Sequence, residues 1–329
     1  MSNRIFIALV AYITILITWT VVRAISGDAT MFVLGLNYIG VWLFTPLLFF
    51  IPWAVLKRDK LGRMLLVLPI GLFIWFFGLM FVPRGENYDN SQFPFSLMTF
   101  NIQESNSDLD AFLLILESNQ AEVLALQEVS GSIEMALNVA LLDKYPYHVY
   151  NRQIGLAVYS HYPILEYQVY PAQSRQFQSL TLDIEGSKVH LINAHLANTG
   201  LLIFFETGDL GMIKDSAMAR VEQITRIMNV IESKGLPSVI ACDCNMTNLT
   251  RTYTQVTNEL QDAFRTQGWG LGHTFVIPRG FDIISDINLP FQRIDYLFHS
   301  SELGVRSIWV ISKESGSDHR PLMAKFVFR

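Results

Sequence analysis

The first 83 residues contain three long runs of apolar positions. Residues 5–22, 31–56 and 64–82 have no charged side chain, and each run is long enough for a helix across a hydrocarbon core of about 30 Å. A signal peptide or a buried soluble helix could explain one run, but three in succession favour membrane spans. The pattern predicts a membrane anchor of about three transmembrane helices over residues 1–83.

Basic residues in the short links between these runs predict the orientation of the anchor. The second link carries Lys57, Arg58, Lys60 and Arg63, whereas the first has Arg23 opposed by Asp28. Cytoplasmic loops are enriched in Lys and Arg, so the second link is predicted to be cytoplasmic. The chain is then a multi-pass membrane protein with its N-terminus inside and everything after residue 82 extracytoplasmic.

Beyond the anchor the pattern changes to short strands and amphipathic helices. Residues 84–94 are polar and rich in turn formers, which is typical of a linker. In residues 95–329, helices are predicted over 109–118, 132–142 and 216–232, and strands over 95–102, 122–127, 147–151, 156–160, 164–170, 179–184, 189–194, 238–242, 293–299, 305–311 and 322–328. So many strands with helices between them predict an α/β domain of two packed sheets covered by helices.

The charge balance of this domain limits its partners. Residues 84–329 hold eighteen Lys and Arg against twenty-seven Asp and Glu. Proteins that grip long nucleic acid non-specifically generally need a basic surface. The acidic balance therefore favours a small or lipid-borne substrate over long DNA or RNA, although local basic patches and a bound metal could reverse this at the site.

The two cysteines lie two residues apart in the motif CDCN. On an extended strand, Cys242 and Cys244 would be too far apart for an easy disulfide. We expect free, buried thiols, with a metal-binding cysteine pair as the alternative.

Polar side chains recur at the ends of the predicted apolar strands. They are Asn101, Glu128, His195, Asp243, Asn245, Asp295, Asp318 and His319, in the motifs TFNI, LQEV, NAHL, CDCN, RIDYLF and SDHRP. Any one of these is more often a helix cap or a satisfied core residue. Six such motifs are harder to explain by packing, because burying unpaired carboxylates is costly.

This ordered set resembles the endonuclease/exonuclease/phosphatase (DNase I-like) superfamily, as a membrane-anchored member of bacterial type. The stretches GLAVYSHYPI and WGLGHTF add to the resemblance, which covers residues 95–329. It implies a four-layer α/β sandwich with the site at one end of the paired sheets. It also implies hydrolysis of a P–O bond with Mg²⁺ or Mn²⁺ as the cofactor.

The resemblance implies a role for each of these residues. Glu128, Asn101 and Asp318 would hold the metal; His319, Asp295, Asp243, Asn245 and His195 would be catalytic; and Asn245, Arg220 and Arg320 would bind phosphate, with Arg175 a further candidate. In this scheme Asp295 orients His319, which activates water or holds a phosphate oxygen, and Asp243 orients the nucleophile.

Two features depart from the family pattern. Cys242 stands where the family usually has glycine in G-D-x-N, which could restrict backbone access beside Asp243. An insert over residues 196–215 contains the apolar run Leu201 to Phe205. That run is either a core segment or an exposed flap that touches a bilayer or lipid substrate.

Three functional hypotheses follow. The first is metal-dependent hydrolysis of phosphoesters at a membrane surface, by a phosphodiesterase or phosphatase. The second is an endonuclease with the same machinery, acting on DNA or RNA. The third is a non-catalytic protein that binds a phosphorylated ligand. The partners implied are the phosphoester substrate and the membrane, and no obligate protein partner is evident.

Overall fold

The N-terminal part of the chain forms a group of apolar helices. The structure is a computed structural model and describes residues 3–26, 31–82, 85, 94–199, 207–209, 211–277, 289–313 and 315–329. The helices are α1 (Asn3–Ser26), α2 (Met31–Tyr38), α3 (Leu47–Leu56) and α4 (Lys60–Phe77), with 3-10 turns at Gly40–Phe44 and Gly78–Phe81. Most of the predicted linker 84–94, and the apolar run 201–205, lie outside the described residues.

Two of these helices, α1 and α4, are long and apolar enough to cross a membrane. The second apolar run is not one straight helix, because the chain bends by 83° between residues 32–38 and 40–56. It makes a third span only if the bent pair is counted as one. At the bend, the side chain of Leu249 from the second domain lies so close to Gly40 that a Cβ there would overlap it. The hydropathy of the sequence gives no sign of this contact, so it predicted one continuous span there.

The domain after residue 94 contains two six-stranded sheets. Its strands are β1 (Phe95–Asn101), β2 (Val123–Gln127), β3 (Tyr147–Asn151), β4 (Leu156–Ser160), β5 (Ile164–Tyr170), β6 (Phe177–Ile184), β7 (Ser187–His195), β8 (Ser238–Asp243), β9 (Gln261–Asp262), β10 (Phe275–Val276), β11 (Pro290–Gln292), β12 (Asp295–His299), β13 (Leu303–Val310) and β14 (Leu322–Phe328). The sheet orders are β13-β14-β1-β2-β4-β3 and β5-β6-β7-β8-β12-β9, and β10 pairs with β11.

Helices cover both outer faces of the paired sheets. They are α5 (Leu109–Asn119), α6 (Gly131–Leu141), α7 (Gly211–Lys234) and α8 (Arg251–Thr257), whereas α9 (Ala263–Gln267) packs into the core between the sheets. One apolar core joins the facing sheets, a second joins α5 and α6 to the first sheet, and a third joins α7 and α8 to the second sheet. This arrangement confirms the predicted four-layer α/β sandwich.

The strand directions bring the polar strand ends to one edge. β1 and β2 are parallel, as are β7 and β8, so the carboxyl ends of each pair lie together. β12 runs antiparallel to β8, with Asp295 opposite Asp243. β14 runs antiparallel to β1, so the segment before it reaches the same edge. The candidate residues therefore meet although they are scattered along 219 positions of sequence from 101 to 319.

The expectation of free thiols is wrong, because Cys242 and Cys244 form a disulfide. β8 ends at Asp243, and Asn245 has a positive φ of 49°, so the chain turns where an extended strand had been expected. The two Cα atoms are consequently 5.0 Å apart, within the range that a disulfide bridges.

Candidate active site

One carboxylate oxygen lies at the centre of the polar edge. Asp243 is 1% exposed, and its Oδ2 accepts a 2.9 Å hydrogen bond from Asn101 Nδ2. The Nε2 atoms of His195 and His319 lie 3.2 Å and 3.8 Å from the same oxygen. Four residues predicted from separate motifs therefore converge on a single buried point.

A histidine–carboxylate pair stands beside this centre. His319 Nδ1 lies 2.9 Å from Asp295 Oδ2, which fixes the ring so that Nε2 faces Asp243 and Asp318, the latter 3.9 Å away. The backbone N–H of Asp295 donates to Thr274 Oγ1 at 3.1 Å. Within the described part of the chain, Asp295 Oδ1 is buried without a hydrogen-bond partner. The pair has the geometry of an oriented base or hydrogen-bond donor.

His195 is held in one tautomer by its neighbours. Arg175 Nη1 donates to His195 Nδ1, so the ring proton resides on Nε2 and can donate to Asp243. Burial lowers the pKa of His195 well below its usual value, and the adjacent Arg175 charge lowers it further. Burial and Arg175 thus both favour the neutral form of the His195 ring.

Two further carboxylates stand at the rim. Glu128 directly follows β2 and has a positive φ of 55°, a rare backbone conformation that often marks functional sites. Its Oε2 accepts a 3.0 Å hydrogen bond from the backbone N–H of Glu104, and its Oε1 lies 3.7 Å from His195 Nε2. The side chains of Glu128 and Asp318 are 31% and 22% exposed, so both can meet a ligand from outside.

The electrostatics of the site reflect this crowding of carboxylates. Burial raises the pKa of Asp243 more than the adjacent His319 lowers it, and Asp295 raises it further. Burial also raises the pKa of Asp318. Burial lowers the pKa of His319, but the negative charges of Asp295 and Asp243 outweigh this effect and raise the pKa to about 10. A proton or a bound cation relieves such mutual repulsion.

The residues present fit a hard divalent cation. Within the described residues, ligand atoms of Asp243, Asp295 and His319 all lie within 4.8 Å of one another, and the carboxylates of Glu128 and Asp318 stand at the rim. Mg²⁺ and Mn²⁺ prefer carboxylate and other hard oxygen ligands. This cluster differs from the set of Glu128, Asn101 and Asp318 expected from the sequence, and that set stays a prediction.

The remaining predicted residues occupy different surroundings. Asn245 Nδ2 donates to the Leu196 carbonyl at 3.2 Å, just beyond Asp243. Arg220 is 1% exposed, and its Nη1 donates to two backbone carbonyls, including that of Ala197 at 3.0 Å, so we assign it a structural role in place of phosphate binding. Arg320 is half-buried, and its backbone N–H donates to Thr274.

An open cleft of about 650 Å³ adjoins the site. Its lining includes Glu128 and His195 from the polar edge, together with Arg175, Arg152 and Tyr150. Two guanidinium groups therefore line this cleft together with the carboxylates of Glu104 and Glu128, and guanidinium groups can pair with an anionic group there.

Sequence reasoning missed a buried polar network that joins the sheets below the site. Gln127 Nε2 donates to Asn193 Oδ1 at 2.8 Å, and Asn193 Nδ2 donates to Gln178 Oε1 at 3.0 Å. All three side chains are fully buried. The signal available was an uncharged amide in or next to each of three predicted strands, since such groups are buried only with partners.

The fold and the polar edge define the class: this is a DNase I-like α/β sandwich. The family model described as Endonuclease/Exonuclease/phosphatase matches residues 98–319. The chain therefore belongs to this family of phosphoester hydrolases. No significant match was found among curated proteins.

Solved structures share the fold at low sequence identity. An endonuclease/exonuclease/phosphatase from Bacteroides vulgatus is 18% identical, with a TM-score of 0.58, and the match covers 72% of this chain and 100% of that one. Truncated TDP2 from Caenorhabditis elegans is 20% identical, with a TM-score of 0.56 and coverage of 71% and 98%. Sphingomyelinase C from Streptomyces griseocarneus is 16% identical, with a TM-score of 0.52 and coverage of 70% and 99%.

Proposed function

We propose that this protein is a divalent-metal-dependent phosphodiesterase that acts on small or lipid-borne phosphoesters at a membrane surface. The observation that carries the proposal is the convergence of Asn101, His195 and His319 on the Asp243 carboxylate, with Asp295 behind His319. A simple phospho-ligand binding module needs no oriented histidine–carboxylate pair beside a carboxylate cluster.

The side chains divide the chemistry between them. Asp243 accepts a proton from, and orients, the attacking water, while Asn101 holds its carboxylate in place. His319, fixed by Asp295, presents Nε2 to the phosphoryl group, and Asn245 and His195 donate to its oxygens. Glu128 and Asp318, assisted by Asn101, would hold the cation. A bound divalent cation would supply charge neutralisation and stabilise the leaving oxygen.

The contacts between the helices and the domain support action at a membrane surface. Trp42 Nε1 donates to the Phe291 carbonyl at 2.9 Å, and the two rings stack. Arg23 donates to the Leu249 carbonyl. If α1 and α4 span a membrane, these contacts hold the site beside the bilayer. The acidic balance of residues 84–329 favours this substrate class over long nucleic acid.

The proposed orientation places the domain outside the cytoplasm. The basic link between α3 and α4 supports this placement. The Cys242–Cys244 disulfide also supports it, since disulfides persist in oxidising compartments. A reporter enzyme that is active only outside the cytoplasm, fused after Arg329, should be active; activity of a reporter that works only in the cytoplasm would reverse the orientation.

The test uses the full chain in detergent micelles. Bis-p-nitrophenyl phosphate, vesicles containing sphingomyelin and plasmid DNA are each supplied with Mg²⁺, Mn²⁺ or EDTA. We expect cleavage of the first two, loss of activity in EDTA, and loss of activity in His319→Ala. His161→Ala is the matched control, because His161 is exposed at the opposite end of the sheets. The proposal would be contradicted by activity that persists in EDTA, or by cleavage of plasmid DNA at a higher rate than the other two substrates.

A further inference from the structure

The loop that follows β8 has an unusual source of support. Asn245 has a φ of 49° and is 8% exposed. Within its own domain, its backbone N–H donates to Asp243 Oδ1 at 3.2 Å and its Nδ2 donates to the Leu196 carbonyl. Its own carbonyl accepts a 3.1 Å hydrogen bond from the hydroxyl of Tyr38. That third bond comes from the helical region, 207 residues earlier in the chain.

Tyr38 is itself fixed by the domain that it contacts. It is the last residue of α2, at the 83° bend, and is 1% exposed. Gln292 Nε2 donates to its carbonyl at 2.7 Å, and the Arg220 guanidinium lies 5.7 Å from its ring centroid. Its ring packs with Leu34 and Ile213. The hydroxyl is therefore held on a buried, well-packed ring, and the helix bend is what places it there.

The same loop is held at two further positions. Thr247 Oγ1 donates to the Asn37 carbonyl at 2.9 Å. The Leu249 carbonyl accepts from Arg23 at 3.0 Å and 3.2 Å. Alternate residues 245, 247 and 249 are thus all bonded to the helical region. A tether would need none of these contacts, since it only has to connect the domain to the membrane.

We propose that Tyr38 is a positioning residue for catalysis, which sets the backbone of Asn245 and so the direction of its side-chain amide. This inference rests on the proposed function in its use of Asn245 as a donor to phosphoryl oxygens. A donor acts on the transition state only at the correct distance, and small displacements of such groups have large effects on rate. Tyr38 then supports catalysis from the end of α2 without touching the substrate.

The test compares Tyr38→Phe with wild type and with Tyr12→Phe, all as the full chain in phospholipid nanodiscs. Tyr12 is a matched control because it lies in α1, stacks on Phe50, and has a buried hydroxyl with no hydrogen-bond partner among the described residues. With bis-p-nitrophenyl phosphate and Mg²⁺, Tyr38→Phe should lower kcat roughly tenfold and leave KM within about twofold. Tyr12→Phe should change neither.

A second measurement does not depend on activity. Amide hydrogen exchange of the peptide covering residues 244–250 should be faster in Tyr38→Phe than in wild type or Tyr12→Phe, because the loop has lost one of its fixed points. Equal exchange in all three proteins would overturn the proposal, even if wild type proved inactive and the proposed function failed. Faster exchange with unchanged kcat would overturn the positioning role.

A second variant covers the case in which Tyr38→Phe folds poorly. Thr247→Val removes the hydroxyl that donates to Asn37 and leaves Tyr38 intact. It should lower kcat in the same direction with KM little changed, and should speed exchange over the same peptide. Wild-type values for both measurements would overturn the proposal.

Discussion

The two sides of the candidate site are built differently. The closed side consists of Asp243, Asn245, Asp295 and His319, whose side chains are buried and bonded to one another, to the sheet or to the adjoining loop. The open side consists of Glu128, Asp318 and Arg175, which are partly exposed. Groups that carry out chemistry need fixed geometry, whereas groups that meet an incoming ligand need access. We therefore expect the closed side to carry out the chemistry and the open side to capture the substrate.

The largest effect is expected from Asp295→Asn on the closed side. The amide cannot supply the negative charge that holds His319 and its proton, so kcat should fall about 10³-fold, within the range for losing acid–base assistance. The measurement is kcat with bis-p-nitrophenyl phosphate and saturating Mg²⁺.

The control for this prediction is Asp183→Asn. Asp183 accepts from the Gly186 N–H in the turn between β6 and β7, at the opposite end of the sheet, and its replacement should leave kcat unchanged. If kcat fell less than tenfold in Asp295→Asn, the Asp295–His319 pair would have no part in the chemistry. The expectation that the closed side carries out the chemistry would then be wrong.

Much of the closed side could be predicted from the sequence because its residues lie at the ends of apolar strands. Asp243 ends β8 and Asp295 begins β12, and the antiparallel pairing of these two strands sets the two residues opposite each other. The structure confirms strands β3, β4, β5 and β14 at the predicted residues. The local pattern of apolar and polar residues was sufficient to predict these strands, because the bounds of a strand depend mainly on its own residues.

The features that escaped prediction depend on which distant surfaces meet. The bond from Tyr38 to Asn245 joins residues 207 apart, and no periodic pattern encodes it. The Cys242–Cys244 disulfide depends on a turn at Asn245, and the burial of Arg220 depends on contacts with the segment after β7. The short elements α8, α9 and β9 to β11 were also missed, because two to seven residues give too little pattern.

The next largest effect is expected from Asp262→Asn, which removes the charge partner of a buried arginine close to the closed side. Arg293 lies two residues before Asp295 and is buried. Its Nη1 donates a 2.9 Å hydrogen bond to Asp262 Oδ1, and its Nη2 lies 2.8 Å from Asp262 Oδ2 in an ion pair. Asp262→Asn would leave a buried guanidinium without its charge partner, which costs about 3 kcal/mol or more. The measurement is the free energy of unfolding from denaturant titration in detergent.

An exposed ion pair provides the contrast for that measurement. Lys144 and Glu117 are paired at 2.9 Å with side chains 54% and 44% exposed. Glu117→Gln should cost less than about 1 kcal/mol, because exposed pairs are screened by solvent. If Asp262→Asn and Glu117→Gln lowered the free energy of unfolding by similar amounts, the buried Arg293–Asp262 pair would contribute no more stability than an exposed pair, and the prediction would be wrong.

The smallest effect is expected on the open side, from Arg175→Ala. Arg175 lines the cleft and donates to His195 Nδ1, so its loss removes a cation from the path of an anionic substrate. We expect KM to rise roughly tenfold, at the low end for a hydrogen bond to a charged group because the side chain is partly exposed, while kcat changes less than KM. Arg226→Ala is the control, since Arg226 is exposed on α7 and paired with Glu222. A hundredfold fall in kcat at constant KM would contradict this prediction. Arg175 would then act through His195 on the reacting group and would belong with the residues of the closed side.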